Sequence, residues 1–238
     1  EMCIRDSVSE ENPDELFDAV LMTVKYIVRE SGISKKDIKL ISFSAQMHSL
    51  VAMDAQNKRL TENITWADNR SSRYADLIEN EYNGFEIYQR TGTPLHPMSP
   101  LSKIFWMKHE QPAIYNQTAK FADIKTYIFY QLFGKYVIDY SMASATGMFN
   151  LGQLDWDEKA LKLLGISRDQ LPELVPTTHI LTGMKKRFAE LMDIDENTPV
   201  VVGASDGVLS NLGVNSYKKG EVAVTIGTSG AIRTVINK

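Results

Sequence analysis

The chain has 238 residues, 43% hydrophobic and 24% charged, the range of a folded globular protein with material for one or two cores. Its 26 Lys and Arg against 30 Asp and Glu leave a net charge of -4, and no basic run exceeds Lys185-Lys186-Arg187, so no nucleic-acid partner is expected. No stretch approaches the roughly 18 apolar residues that cross a bilayer and no leader signal opens the chain, so a cytoplasmic location without a membrane partner is expected.

Glu1 to Ser7 reads as a translated sequencing adapter, so residues 1–7 are expected to be non-native and the gene to begin earlier. Asn12-Pro13-Asp14-Glu15 then starts a helix: Asn caps, Pro takes a position that needs no amide, and the acids face the positive end of the dipole. Leu16, Ala19, Val20, Val24 and Ile27 follow at helical spacing, and Gly32 is the stop. Residues 38–44 and 50–53 read as strands, and the polar turn 55–58 leads to a third strand ending near Trp66. A helix follows from about Asn69, then an irregular stretch with Gly92, Pro94 and Pro97.

Ser99-Pro100 caps a helix carrying Leu101, Ile104, Phe105 and Trp106, and Asp123 starts another that turns Ile124, Tyr127, Ile128 and Leu132 inward and ends at Gly134. A short helix is predicted over 155–164, closed by Gly165. Val200 to Val202 form a buried strand running into Gly203-Ala204-Ser205-Asp206-Gly207, and residues 222–226 and 232–236 form a hairpin around Gly227-Thr228-Ser229-Gly230. Strands alternating with helices make the chain α/β: one main domain, then the first hairpin of a second near residue 216.

Chemistry has few places to reside. One cysteine, Cys3, excludes a disulfide or thiolate site within one chain, and the four histidines are scattered without metal-ligand spacing. Asp206, at the end of a hydrophobic strand, sits where α/β folds present polar groups to a crevice and is placed to act as a base; it reads equally well as a helix N-cap. The Gly227–Gly230 tip leaves amides and hydroxyls open to an anion, and it also reads as a plain turn. Neither the P-loop nor the dinucleotide fingerprint occurs.

These two segments, in this order, resemble the catalytic and phosphate-binding core of the FGGY carbohydrate kinases, members of the actin-like ATPase superfold. Further segments carry the likeness: Ser44-Ala45-Gln46-Met47-His48-Ser49, Trp66-Ala67-Asp68-Asn69-Arg70, Met98 to Trp106, and Asp139-Tyr140-Ser141-Met142-Ala143-Ser144. Thr93 to Pro100, Val175 to His179 and Gly203 to Gly207 are most similar to the family's gluconate kinases.

The resemblance implies a ribonuclease-H-like domain over residues 8–215, lacking its first strands, and the opening of an ATP-binding domain over 216–238. It implies that ATP, with Mg2+, phosphorylates gluconate. Asp206 is the implied catalytic base, Gly227 and Thr228 belong to the ATP phosphate loop, and Met47, His48, Trp66 and Asp68 bind or adjoin the sugar. On the residues alone, Met47 and Trp66 also read as packing and Asp68 as the cap of the next helix. Met98 stands where glycerol kinases carry a substrate-contacting tyrosine. Lys103, Trp106 and Asp139 are expected to be structural, Lys103 with a snorkelling amine. His48, Arg70 and Arg90 are the visible cations for a gluconate carboxylate. A xylulose- or glycerol-type kinase, or a non-catalytic sugar- or nucleotide-binding module, fits the same segments, and a homodimer is left open for the full-length enzyme. The chain reads as an N-terminal-half fragment, itself expected to have little or no kinase activity.

Overall fold

Asn12 opens its helix by the chemistry its side chain predicts. In the computed structural model, which describes residues 7–226 and 230–236, strand β1 (Glu10–Glu11) leads into α1 (Pro13–Ser31), where Asn12 accepts from the amides of Asp14 and Glu15. Gly32 ends the helix at φ 62°, a conformation natural to glycine. Pro13, Phe17 and Leu21 are buried, with Leu16, Val20, Val24 and Val28 packed beside them. Ala19 and Ile27, counted on that face from the sequence, are exposed because they fall off this stripe.

The next elements are β2 (Ile41–Ala45), β3 (Val51–Met53), β4 (Asn63–Ile64), α2 (Ser72–Glu81), α3 (Gly84–Thr91), α4 (Pro100–Glu110), α5 (Pro112–Gln117), β5 (Lys120–Ala122) and α6 (Ile124–Phe133). β2 starts three residues later than expected, after a 3-10 turn over Lys35–Asp37. The stretch before Gly92 holds α3, which the sequence did not announce. Ser99 and Asp123 cap α4 and α6 through the amides of Ser102 and Thr126, and Gly134 closes α6 at φ 71°.

Beyond these lie β6 (Val137–Asp139), α7 (Tyr140–Ser144), β7 (Phe149–Asn150), β8 (Asp155–Trp156), α8 (Glu158–Leu164), β9 (Glu173–Val175), β10 (Ile180–Leu181), α9 (Lys186–Met192), β11 (Val200–Ser205), α10 (Asp206–Gly213), β12 (Val222–Ile226) and β13 (Gly230–Thr234). The helix predicted over 155–164 begins only at Glu158, because Asp155 and Trp156 pair with Asn150 and Phe149. The hairpin forms with Ile226 opposite Gly230, two residues tighter than read from the sequence. Residues 1–6 of the segment expected to be non-native, and the tip with Gly227 and Thr228, lie outside the described residues.

β11 lies between β10 and β2, antiparallel to the first and parallel to the second. One apolar cluster packs α1, α6 and α9 around this sheet, with Phe17, Phe129, Leu181 and Val202 inside. A second gathers α2, α4 and α8 around Ile78, Ile104, Phe105 and Leu164. Among the described residues no helix is long and apolar enough to cross a membrane.

Candidate active site

Parallel pairing of β2 and β11 sets Ala204 opposite Ser44 and Ser205 opposite Ala45. The residues following each strand, Gln46-Met47-His48 and Asp206-Gly207, therefore leave the sheet at the same edge, where α/β folds place their ligand crevice. The register shifts between Val201 and Ala204. Gly203 is the reason: it sits at φ 70°, and a Cβ there would stand 1.9 Å from the Phe43 carbonyl oxygen.

Asp206 is exposed as the first residue of α10, and its carboxylate accepts from the amide of Gly207 at 2.7 Å. The capping role belongs to Ser205, whose Oγ accepts from the amide of Val208, so Asp206 is free of it. A carboxylate in the first turn is also favoured by the helix dipole.

A buried chain of polar groups fixes the strand exit. The Lys125 ammonium meets the Asp139 carboxylate at 2.6 Å with both side chains essentially inaccessible (1% and 0% exposed). The other Asp139 oxygen caps α7, accepting from the amides of Ser141 and Met142 and from the Ser141 hydroxyl. The Ser141 Oγ in turn accepts from the amide of Ser205 at 2.9 Å. Asp139 is structural, as expected, and its structure reaches the residue beside Asp206.

Met47 lies across Gly207, where an added Cβ would meet its methyl carbon at 2.9 Å. His48 stands at φ 68°, with Nδ1 donating to the Ala145 carbonyl at 2.8 Å. Burial lowers its pKa, aided by Lys103 and His96 and opposed by the Ala145 bond and Asp206. The ring is therefore neutral near pH 7 and keeps Nε2 as an acceptor. Trp66 is exposed, so it is not core. Asp68 is buried and is not the cap of α2: its oxygens accept from the Ser9 amide and from the Arg70 amide and guanidinium. Its carboxylate is thus already occupied by the backbone and by Arg70.

Lys103 departs from its expected snorkelling. It is 1% exposed, and its amine donates to the His48 carbonyl at 2.5 Å and to the Thr65 carbonyl at 2.7 Å, tying together the segments that carry His48 and Trp66. Burial pushes its pKa down to about 7, against the pull of Asp68. No sequence signal announced this: Ser102 and Lys103 read as a polar side, and only the structure shows residues 101–105 buried all round.

The two arginines read from the sequence are engaged elsewhere. Arg70 pairs with Glu10 and Asp68 and lies over the Trp106 ring, and Arg90 forks onto Asp157 at 2.7 and 3.1 Å. A cleft of about 590 Å³ is lined by Met47, Ser141, Ser205, Gly207, Asn211 and Arg233 among others; Asp206, between Ser205 and Gly207 in the chain, adjoins it without lining it. Arg233 was not among the sequence candidates. Gly227 and Thr228, expected at the phosphate, lie outside the described residues. Among the described residues no three His, Cys, Asp or Glu side chains gather to hold a metal ion.

The description "FGGY family of carbohydrate kinases, N-terminal domain" matches residues 3–213. Gluconokinase of Bacillus subtilis (strain 168) is 57% identical over 98% of this chain and 45% of its own length. The crystal structure of gluconate kinase from Lactobacillus acidophilus superposes with a TM-score of 0.94 at 37% identity, over 99% of this chain and 47% of that one. A ligand-bound xylulose kinase from the same species gives 0.93 at 37% identity, over 98% and 47%. The chain thus spans about half the length of the curated relatives it matches.

Proposed function

We propose that this chain, which belongs to the FGGY family of carbohydrate kinases, carries the acceptor side of an ATP-dependent gluconate kinase. Residues 8–215 form its sugar-binding domain, and residues 216–238 open its ATP-binding domain. The observation that carries the reading is the exposed Asp206 carboxylate at the exit of β11, released from capping by Ser205 and facing the strand exit that bears Met47 and His48.

In the proposed reaction the 6-hydroxyl of gluconate attacks the γ-phosphorus of ATP. The new O–P bond forms as the bond from the γ-phosphorus to the β,γ-bridging oxygen breaks, ADP leaves, and the hydroxyl proton passes to Asp206. A carboxylate is a weak base toward an alcohol, so the proton moves late and Asp206 mainly orients the hydroxyl. His48 offers its neutral Nε2 to a sugar hydroxyl, and Met47 and Trp66 supply apolar surface to the carbon chain. Asp68 acts from beneath, holding Arg70 and the Ser9 backbone under the Trp66 segment. Gly227 and Thr228 are assigned to the phosphate. Mg2+ would be held chiefly by the ATP phosphates and would offset their charge there.

The test is a fusion of residues 1–238 to the C-terminal half of Bacillus subtilis gluconokinase, assayed for ATP-dependent phosphorylation of gluconate, xylulose and glycerol. Gluconate is expected to be preferred, and Asp206→Asn to abolish turnover while sugar binding persists. Retained turnover in Asp206→Asn rejects the base, and a preference for xylulose transfers the assignment to the xylulose type, whose ligand-bound structure superposes about as well as the gluconate kinase.

A further inference from the structure

A sugar acid brings a carboxylate into the cleft, and the cations first considered for it are unavailable: His48 is neutral, and Arg70 and Arg90 are bound to acids. We infer that Arg233 is the specificity-determining cation, receiving the carboxylate of the acceptor in the cleft beside Asp206. This rests on the sugar-kinase reading and adds to it the residue that separates an acid from a neutral polyol.

Three observations converge on Arg233. Arg233 lines the cleft and is partly covered, between Ile232, 78% exposed, and Thr234, which border the cleft as well. Its guanidinium lies across the first turn of α10: a Cβ on Gly207 would stand 3.4 Å from Nε and 3.7 Å from one terminal nitrogen, so glycine there leaves room for it. The Thr225 hydroxyl, 3.2 Å from the other terminal nitrogen, steadies the fork. Among the described residues no carboxylate pairs with Arg233; Arg73 and Arg187 also lack one but do not line the cleft, whereas Arg29, Arg59, Arg70, Arg90 and Arg168 each have one. A planar guanidinium beside a helix N-terminus suits a planar carboxylate, which can accept two parallel hydrogen bonds from it.

The experiment is calorimetric titration of the fusion to the C-terminal half of Bacillus subtilis gluconokinase, and of its Arg233→Met and Arg233→Lys variants, with gluconate, with glucitol and xylulose as neutral counterparts, and with ATP. Thermal melting of each variant checks that the fold is kept. Arg233→Met is expected to weaken gluconate roughly ten- to hundred-fold, the range of a charged hydrogen bond, while glucitol and ATP are unchanged. Arg233→Lys is expected to restore part of the loss, because it keeps charge without the fork. Equal weakening of gluconate and glucitol overturns the inference in favour of packing, and weakening of ATP alone overturns it in favour of a phosphate contact. Binding of glucitol or xylulose but not gluconate by the unaltered fusion sinks the Arg233 assignment while the sugar-kinase reading stands. Binding of no sugar sinks both.

Discussion

Asp139→Asn tests how far the interior governs the site. The substitution keeps the size of the side chain and an oxygen for the amides of Ser141 and Met142, and it removes the charge facing Lys125, whose ammonium is left at 1% exposure without its counterion. Breaking a buried pair from one side costs about 3–5 kcal/mol, because the surviving charge is uncompensated. For a domain of this length that corresponds to a fall in Tm of about 6–20 °C. The assay is urea unfolding followed by fluorescence of the three tryptophans, one of which, Trp156, is buried. Lys125→Met is expected to cost a similar amount. The double variant, with both charges gone, should lose clearly less than the two singles together. Losses that simply add, or a single-variant loss below about 1 kcal/mol, would refute the argument.

Lys103 gives a pH prediction. Its pKa is lowered on folding from 10.5 to about 7, so between those values the unfolded chain binds more protons and stability rises with pH; below about pH 7 the penalty is fully present. From pH 7 to 9 the unaltered chain should gain up to about 2 kcal/mol relative to Lys103→Met in urea unfolding, and a flat difference would show that the amine keeps its ordinary pKa. Gly203→Ala should cost at least about 3 kcal/mol, since φ 70° and the 1.9 Å approach to the Phe43 carbonyl both oppose a methyl; a thermal melt within about 2 °C of the unaltered chain would contradict that close approach. Asn12→Ala should remove about 1 kcal/mol through loss of the cap on α1, read as a shift in the urea midpoint at unchanged slope.

What the sequence disclosed was local chemistry. Asn12, Ser99 and Asp123 announced helix starts, and Gly32, Gly134 and Gly165 announced ends, because a cap is satisfied by neighbours within four residues. α3 and α9 stayed hidden: Asn83 and Lys185 precede them without a side-chain cap, and both helices are short. β8 was absorbed into a helix because its partner, β7, is set by pairing rather than by propensity. At the site, the strand exit bearing Asp206 was legible, whereas its closeness to Met47 depends on parallel pairing with a strand about 160 residues away. Lys103 looked like a surface lysine until the first turns of α4, residues 100–105, proved buried on every side. Arg233 needed the packing of the hairpin against the first turn of α10, which no local pattern announces.

The Lys103 amine has a consequence for how such a protein adapts. Two chain segments gripped by one ammonium cannot drift apart or slide independently, so the His48 and Trp66 walls behave as a single jaw. A change of preferred sugar must then come from the side chains mounted on that jaw, with its backbone left as it is. Grafting a new loop at either segment alone would first have to break the grip, and would be felt as misfolding before it was felt as altered selectivity.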